Sequence, residues 1–221
     1  MQLYNPERLR APKEVVESAS SEAMRMLRTI ADNPENKIHF GGAATVYRLP
    51  GNLCMKLFEK RSITAAPGNP ISVEAGYLEL LTGFTVKGVR VPHYFGHITA
   101  EHEGEENAII MEELHALDLE RVIKKNAELP NGFSVKTFFD NIEWYIDALH
   151  QRGIVHGDIE LRNIMIDKGG NGYVIDFGRA KRVSGLAERE SRKLEDVDWE
   201  TLKKARAKFD AWAQGTMAKV A

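Results

Sequence analysis

The chain has 221 residues, 43% of them hydrophobic and 28% charged, the balance of a globular chain that can bury a core without metals or disulfides. Lysine and arginine number 30 against 32 aspartate and glutamate, a formal charge of −2, so no global positive field draws nucleic acid or an anionic membrane, and any phosphate binding has to be local. The single cysteine, Cys54, excludes an internal disulfide and a cysteine-rich zinc site. No segment approaches the roughly 20 apolar residues that span a bilayer, and no basic stretch leads into an apolar one at the start, so the expectation is a cytoplasmic protein with no membrane partner.

Val15, Val16, Ala19, Ala23, Met26, Leu27 and Ile30 recur at helical spacing and predict an amphipathic N-terminal helical extension over 1–35, stopped by Asn33-Pro34. From His39 to Lys60 short β-branched runs broken by Gly41-Gly42 and Pro50-Gly51 predict a hairpin-rich sheet, with Cys54 buried in the apolar run Leu53 to Phe58. A Pro/Gly loop at Pro67 to Pro70 leads into a helix carrying Glu74, Leu78, Leu80 and Leu81. Strands are expected around Val91 to Gly96 and Ala108 to Met111. Beyond Leu114 the pattern turns helical, with Phe138, Ile142, Tyr145, Ile146 and Leu149 on one face. Strand and turn segments follow over Ile154 to Ile166 and Tyr173 to Ile175. The last helix is predicted from about Asp198, with Trp199, Leu202, Phe209 and Trp212 on one side. A β-rich part over 36–114 and an α-rich part over 115–221, joined near Glu112 to Leu117, make an α+β chain of two lobes.

The residues able to do chemistry concentrate in His156-Gly-Asp158-Ile-Glu-Leu-Arg-Asn163 and in Val174-Ile-Asp176-Phe-Gly178. Asp158 and Asn163 stand five apart, and Asp176 ends a β-branched run 18 residues after Asp158. The two motifs, in this order and spacing, resemble the catalytic loop and metal-binding tripeptide of the protein-kinase superfamily. The resemblance implies a two-lobed kinase-like fold with ATP in the cleft. Asp158 would orient the acceptor hydroxyl, and Asn163 and Asp176 would hold Mg2+ or Mn2+. Phosphoryl transfer falls in barrier through positioning and charge neutralisation. A metal taking one or two carboxylates plus phosphate oxygens suits one aspartate and one asparagine amide. His156 matches a family residue that packs beneath the metal-binding tripeptide.

The first half supplies the remaining parts in family order. Lys56, on the opposite strand face from Met55 and Leu57, resembles the nucleotide-binding lysine. Glu74 resembles its helix partner, with Glu79 as the alternative. Gly41 and Gly42, followed by the small Ala43 and Ala44 and by Val46, stand where the family has its glycine-rich phosphate cover. Ala108 to Leu114 resembles the hinge strand, so Met111 would border the adenine pocket, and the Glu112 carbonyl and the Leu114 backbone would pair with the adenine edge. Val46, Met111 and Ile175 would wall the base.

The Gly-Ala-rich loop at Gly41 to Ala44, the segment Val89 to Gly96, the His156-Gly-Asp158 loop and Glu195-Asp-Val-Asp198 are similar to the small atypical kinases: the RIO kinases, the KEOPS-associated kinase and bacterial minimal effector kinases. That likeness implies a reduced activation segment and a minimal C-lobe, and, for an effector, delivery into a host cell. Lys60-Arg61 is a fragment of the basic cluster of the KEOPS-associated family. Glu160 stands where protein kinases carry a phosphate-contacting lysine. A carboxylate about 5 Å from a phosphate charge costs about 3 kcal/mol at an effective dielectric near 20 unless it turns away, and Arg162 is its natural partner. The function implied is transfer of the γ-phosphoryl of Mg-ATP to a Ser/Thr hydroxyl of a protein substrate. The alternatives are a small-molecule kinase like the aminoglycoside phosphotransferases and a non-catalytic nucleotide-binding scaffold.

Overall fold

Alternating apolar and polar side chains build a five-stranded antiparallel sheet from the first half of the chain. A computed structural model describes residues 25–40, 44–58, 70–98 and 107–217. Strands β1 (Lys37–Phe40), β2 (Ala44–Leu49), β3 (Leu53–Phe58), β6 (Tyr94–Ile98) and β7 (Asn107–Glu112) lie in the order β1-β2-β3-β7-β6. The β2–β3 turn needs two left-handed residues, which Gly51 (φ 81°) and Asn52 (φ 60°) supply. On the outer face, Leu49, Met55 and Ala108 are buried against Leu27, Ile30 and Ala31 of helix α1, described over 25–31. The predicted N-terminal helix thus covers the sheet over that stretch. Its earlier turns, like Gly41, Gly42, Ala43 and Lys60-Arg61, lie outside the described residues.

Helix α2 (Pro70–Leu81) packs against the other face through Ile71, Ala75, Leu78 and Leu81, a 3.6-residue stripe that carries Glu74 inward beside Ala75. The strand expected over Val91 to Gly96 begins three residues later, as β6, past Pro92, which has no N–H for a ladder, and a separate short strand, β5 (Val89–Arg90), precedes it. Strand β5 leaves the first sheet altogether. With β4 (Thr85–Val86), β8 (Ala116–Asp118), β10 (Ile164–Asp167) and β11 (Gly172–Val174) it forms a second sheet ordered β4-β5-β11-β10-β8, pairing in parallel with β11 at Tyr173. A stretch of the β-rich half is therefore built into the floor of the other.

Helix α3 (Leu119–Lys125) is capped by Asp118, which accepts from the Arg121 N–H, and ends on the left-handed Asn126. Helix α4 (Val135–His150), capped by Ser134, buries Phe138, Phe139, Ile142, Tyr145, Ile146 and Leu149. Strand β9 (Ile154–Val155) pairs with β12 (Lys181–Arg182). Helix α5 (Glu188–Met217) starts ten residues before the predicted Asp198. Its first turns are polar and exposed, so no apolar stripe announces them, and strong helix formers such as Glu, Arg and Lys carry the helix there. Leu202, Ala205 and Phe209 of α5 join α2, α4 and the second sheet in one continuous core.

Within that core the Tyr145 hydroxyl is buried and finds no hydrogen-bond partner among the described residues. Burial pushes its phenol pKa upward. An orphaned buried hydroxyl costs about 1–3 kcal/mol in lost solvation. Tyr145→Phe should therefore leave the urea midpoint unchanged or raise it, whereas Ile142→Ala in the same helix should cost about 2–5 kcal/mol. A Tyr145→Phe protein that unfolds more easily by over 1 kcal/mol would contradict the assignment of an unpaired hydroxyl.

Candidate active site

The turn after β9 is held from below by one carboxylate. Asp198, in α5, is 0% exposed, and its oxygens accept from the His156 N–H at 2.8 Å and the Gly157 N–H at 2.7 Å. The same carboxylate meets His150 Nε2 at 3.0 Å. Gly157 takes φ +77°, and a Cβ there would stand 2.8 Å from the Arg179 carbonyl oxygen, so only glycine lets the two loops approach this closely. His156, wholly buried, has both ring nitrogens spoken for. Its Nδ1 accepts from the Asp158 N–H at 3.2 Å, so Nε2 carries the proton toward the Ile175 carbonyl at 3.1 Å. Its ring packs on Phe177 with centroids 4.5 Å apart. The turn thus presents Asp158 with little freedom of position.

Asn163 sits on the single 3₁₀ turn Leu161–Asn163. Its amide nitrogen donates to the Asp158 carbonyl at 2.8 Å and to Asp158 Oδ2 at 3.0 Å, which leaves its amide oxygen as the free end of the side chain. Arg162 spans two carboxylates. Its Nη2 donates to both oxygens of Asp158, at 3.2 and 3.1 Å, and its Nη1 lies 2.5 Å from Glu160. Arg179 approaches Asp158 at 3.8 Å from the other side.

Across the cleft, Lys56 Nζ donates to both oxygens of Glu74 at 2.8 Å and to Asp176 Oδ1 at 3.2 Å. The strand parity of Lys56 turns it from the sheet toward α2, where Glu74 is 2% exposed. Burial opposes the lysine charge, but the Glu74 and Asp176 carboxylates outweigh it and hold the Lys56 pKa above the ordinary value. Burial also raises Glu74, against the pull of Lys56. Asp176 goes the other way. Burial works to raise it, yet Lys56, and after it His156 and the Gly178 N–H, bring it below the ordinary carboxylate value. Asp176 holds a left-handed backbone, φ 67°, which is unusual for a residue with a Cβ and aims its side chain into the cleft. Glu79 is exposed on the far side of α2, so the geometry pairs Lys56 with Glu74.

Among the described residues, no group of three or more His, Cys, Asp or Glu gathers as a self-sufficient metal site. Asp176 and the amide oxygen of Asn163 offer a hard, oxygen-only pair, a donor set that fits a small divalent cation completed by phosphate oxygens and water. Along the cleft, Val46, Met111 and Ile175 are half-buried, and among the described residues the Leu114 N–H is engaged in no turn or loop hydrogen bond. The Glu112 carbonyl has the Cys54 thiol at 3.5 Å. Cys54 itself is buried, and desolvation pushes its pKa up to about 12, which makes it an inert thiol.

Two glutamates tie the strand exit to its surroundings. Glu113 receives both ends of Arg48 of β2, at 2.6 to 3.0 Å. Glu112 receives Arg90 of β5 at 2.6 and 2.8 Å, and that guanidinium also lies 4.8 Å over the Tyr173 ring. These two pairs anchor neighbouring residues to different sheets.

The sequence profile of the protein kinase domain matches residues 41–219. The chain belongs to the protein kinase family. Similar proteins include NUAK family SNF1-like kinase 2 of Rattus norvegicus, 40% identical over 86 residues that cover 37% of this chain and 14% of that protein. Probable serine/threonine-protein kinase PknB of Lactococcus lactis is 32% identical over 76 residues, 34% of this chain and 12% of the relative. Mitogen-activated protein kinase kinase kinase 17 of Arabidopsis thaliana is 25% identical over 67% of this chain and 39% of its own length. The matches thus span well under half of each of these relatives. The α+β, two-lobed architecture is that of the family. No helix among the described residues is long and apolar enough to cross a membrane.

The kinase cleft gathers Lys56, Glu74, Asp158, Asn163 and Asp176 from β3, α2, the turn after β9 and the turn after β11. Sequence reasoning attached no role to Asp198, to the Arg48–Glu113 and Arg90–Glu112 pairs, or to Arg179. Asp198 closes the acidic stretch Glu195 to Asp198, but its role depends on a partner 41 residues away, which local spacing cannot express.

Burial holds the His156 pKa below its ordinary value of 6.5. An unfolded chain therefore binds a proton at this residue before the folded one does, so stability is intact above about pH 6.5 and falls as pH drops through it, by at most about 1.4 kcal/mol per pH unit. His156→Gln should flatten the dependence of unfolding free energy between pH 7.5 and 5.5. Equal slopes for the two proteins would show that His156 does not titrate with folding.

Proposed function

We propose that this kinase domain transfers the γ-phosphoryl of ATP, with magnesium, to a serine or threonine hydroxyl of a protein. The observation that carries the reading is the convergence, in one cleft, of the Lys56–Glu74–Asp176 ion cluster from one side and the Asp158–Asn163 turn from the other. Glu74 holds Lys56 extended so that its ammonium can neutralise phosphate oxygens of the nucleotide. Asn163 and Asp176 would hold the metal, which when bound supplies positive charge to the phosphate oxygens. Val46, Met111 and Ile175 would wall the adenine, with the Glu112 carbonyl and the Leu114 backbone at its edge and Gly41 and Gly42 over the phosphates.

Asp158 accepts the proton of the acceptor hydroxyl as the new oxygen–phosphorus bond forms. The bond from the γ-phosphorus to the bridging oxygen breaks, and ADP departs with the electron pair. Arg162 and Asn163 keep the Asp158 carboxylate aimed, so its work is orientation.

The finer reading is of a minimal, atypical member, with a small lobe over 36–114, a reduced lobe over 115–221 and helix α1 as part of an extension over 1–35. The short connection from Phe177 to the start of α5 at Glu188 supports it, because so little chain leaves no long activation loop to be switched by phosphorylation. A reducing, cytoplasmic setting suits the lone inert thiol.

Asp158→Asn should bind Mg-ATP nearly normally while transfer falls at least about a hundredfold, about 2.7 kcal/mol of transition-state stabilisation. Asp176→Asn and Lys56→Met should instead lose nucleotide binding and turnover together. Calorimetric titration with a non-hydrolysable nucleotide reads the first quantity and initial rates with labelled ATP, with and without cell lysate, the second. Wild-type protein that binds ATP but labels nothing above the Asp158→Asn background would replace the kinase reading with a scaffold. Labelling of small molecules alone would make the acceptor something other than protein.

Arg162 holds Glu160 at 2.5 Å and so turns it from the transferred phosphate. Glu160→Lys should therefore lower turnover severalfold, by repelling Arg162 and loosening Asp158. A rise in turnover would mean that Glu160 faces the phosphate.

A further inference from the structure

We propose that the acceptor is an acidic protein segment, a serine or threonine flanked by carboxylate side chains; this rests on the phosphotransfer reading above. The acceptor side of Asp158 is bordered by cations. Arg162 is half-exposed and Arg179 about three-quarters exposed, at 3.1 and 3.8 Å from Asp158 oxygens. Beyond Arg179 the chain runs as β12, whose Lys181 and Arg182 are exposed and matched to no carboxylate among the described residues. The ladder sets Lys181 opposite Val155, three residues before Asp158. The close approach of Gly157 to the Arg179 carbonyl locks this strip beside the catalytic turn.

Set against these cations at the rim is Glu160, already taken by Arg162. Asp158 is shared by two guanidiniums, and Asp176 faces Lys56. Lys56, Arg162, Arg179, Lys181 and Arg182 together stand against Glu74, Asp158, Glu160 and Asp176, so the surplus positive charge lies on the exposed β12 rim, in a chain whose total charge is −2. A substrate rich in lysine or arginine would be repelled from it, and one rich in glutamate or aspartate drawn in. Because the reaction read above moves phosphate to a protein hydroxyl, the anionic partner is taken to be a protein segment and not the headgroups of a membrane.

The chain itself contains a segment of this chemistry. Residues 14–23 place Ser18, Ser20 and Ser21 among Glu14, Glu17 and Glu22, and a synthetic copy of them is the probe. The comparison peptide carries lysine at the three glutamate positions. Peptide binding is read by fluorescence anisotropy and transfer by labelled ATP, both on the full chain.

The acidic peptide should bind and be labelled at least tenfold better than its lysine counterpart, with the difference shrinking as salt is raised. Lys181→Glu with Arg182→Glu should level or reverse that ratio. The same charge change at Lys203 and Lys204, exposed on α5, should leave the ratio unchanged. Equal use of the two peptides, or preference for the basic one, overturns the inference. So does a ratio that the α5 substitutions alter as much as the β12 ones, since net charge alone would then be acting. Binding to phosphatidylserine vesicles without discrimination between peptides overturns it in favour of a membrane surface. Selective binding of the acidic peptide through Lys181 and Arg182 with no labelling of either peptide supports anion recognition by the rim and removes the phosphotransfer reading instead.

Discussion

Everything in the cleft leans on the burial of Asp198. A carboxylate wholly removed from water is tolerated only if donors replace its hydration, and here the donors are the backbone of the His156–Gly157 turn and the ring of His150. The requirement works in both directions. Helix α5 cannot bury its carboxylate without that turn in place, and the turn cannot keep its shape without the carboxylate beneath it. From this fixed point Asp158 is positioned by its own N–H on His156, Asn163 by its bonds to Asp158, and the segment after Asp176 by the packing of Phe177 on the His156 ring.

The second organising contact is the ion cluster of Lys56, Glu74 and Asp176, because it joins the sheet, α2 and the second half through one ammonium. Removing the lysine would leave Glu74 charged and buried with no counter-ion, so the cluster reports on the closed arrangement of the lobes as much as on nucleotide binding. Phe177 and Tyr77 stack between α2 and the turn, with ring centroids 6.3 Å apart, and give the same junction an apolar component.

What was legible beforehand was whatever is written within a few residues. The sheet of hairpins, the buried face of α4 and the motifs around Asp158 and Asp176 are local patterns of spacing and polarity, and the structure gathers Lys56, Glu74, Asp158, Asn163 and Asp176 at one cleft. Three kinds of feature escaped. The start of α5 is polar on every side, so periodicity had nothing to detect. Pro92 holds back the start of β6, and β5, ahead of the expected strand, pairs in a sheet formed by residues far along the chain. Asp198, Arg48 and Arg90 act on residues 22 to 65 positions away, and an arginine or aspartate in isolation reads as ordinary surface charge until the fold selects its partner.

The strand exit at Glu112 and Glu113 has a mechanical meaning. One glutamate is moored to β2 and its neighbour to β5, so any rotation of one lobe against the other must stretch an arginine tether or twist the backbone between the two residues. The Arg48 side chain is 54% exposed, which opens that tether to competition from dissolved ions, while the Arg90 tether is also held by the face of Tyr173. The joint thus has one stiff arm and one arm softened by salt, so its resistance to bending depends on the ionic strength of the surrounding medium.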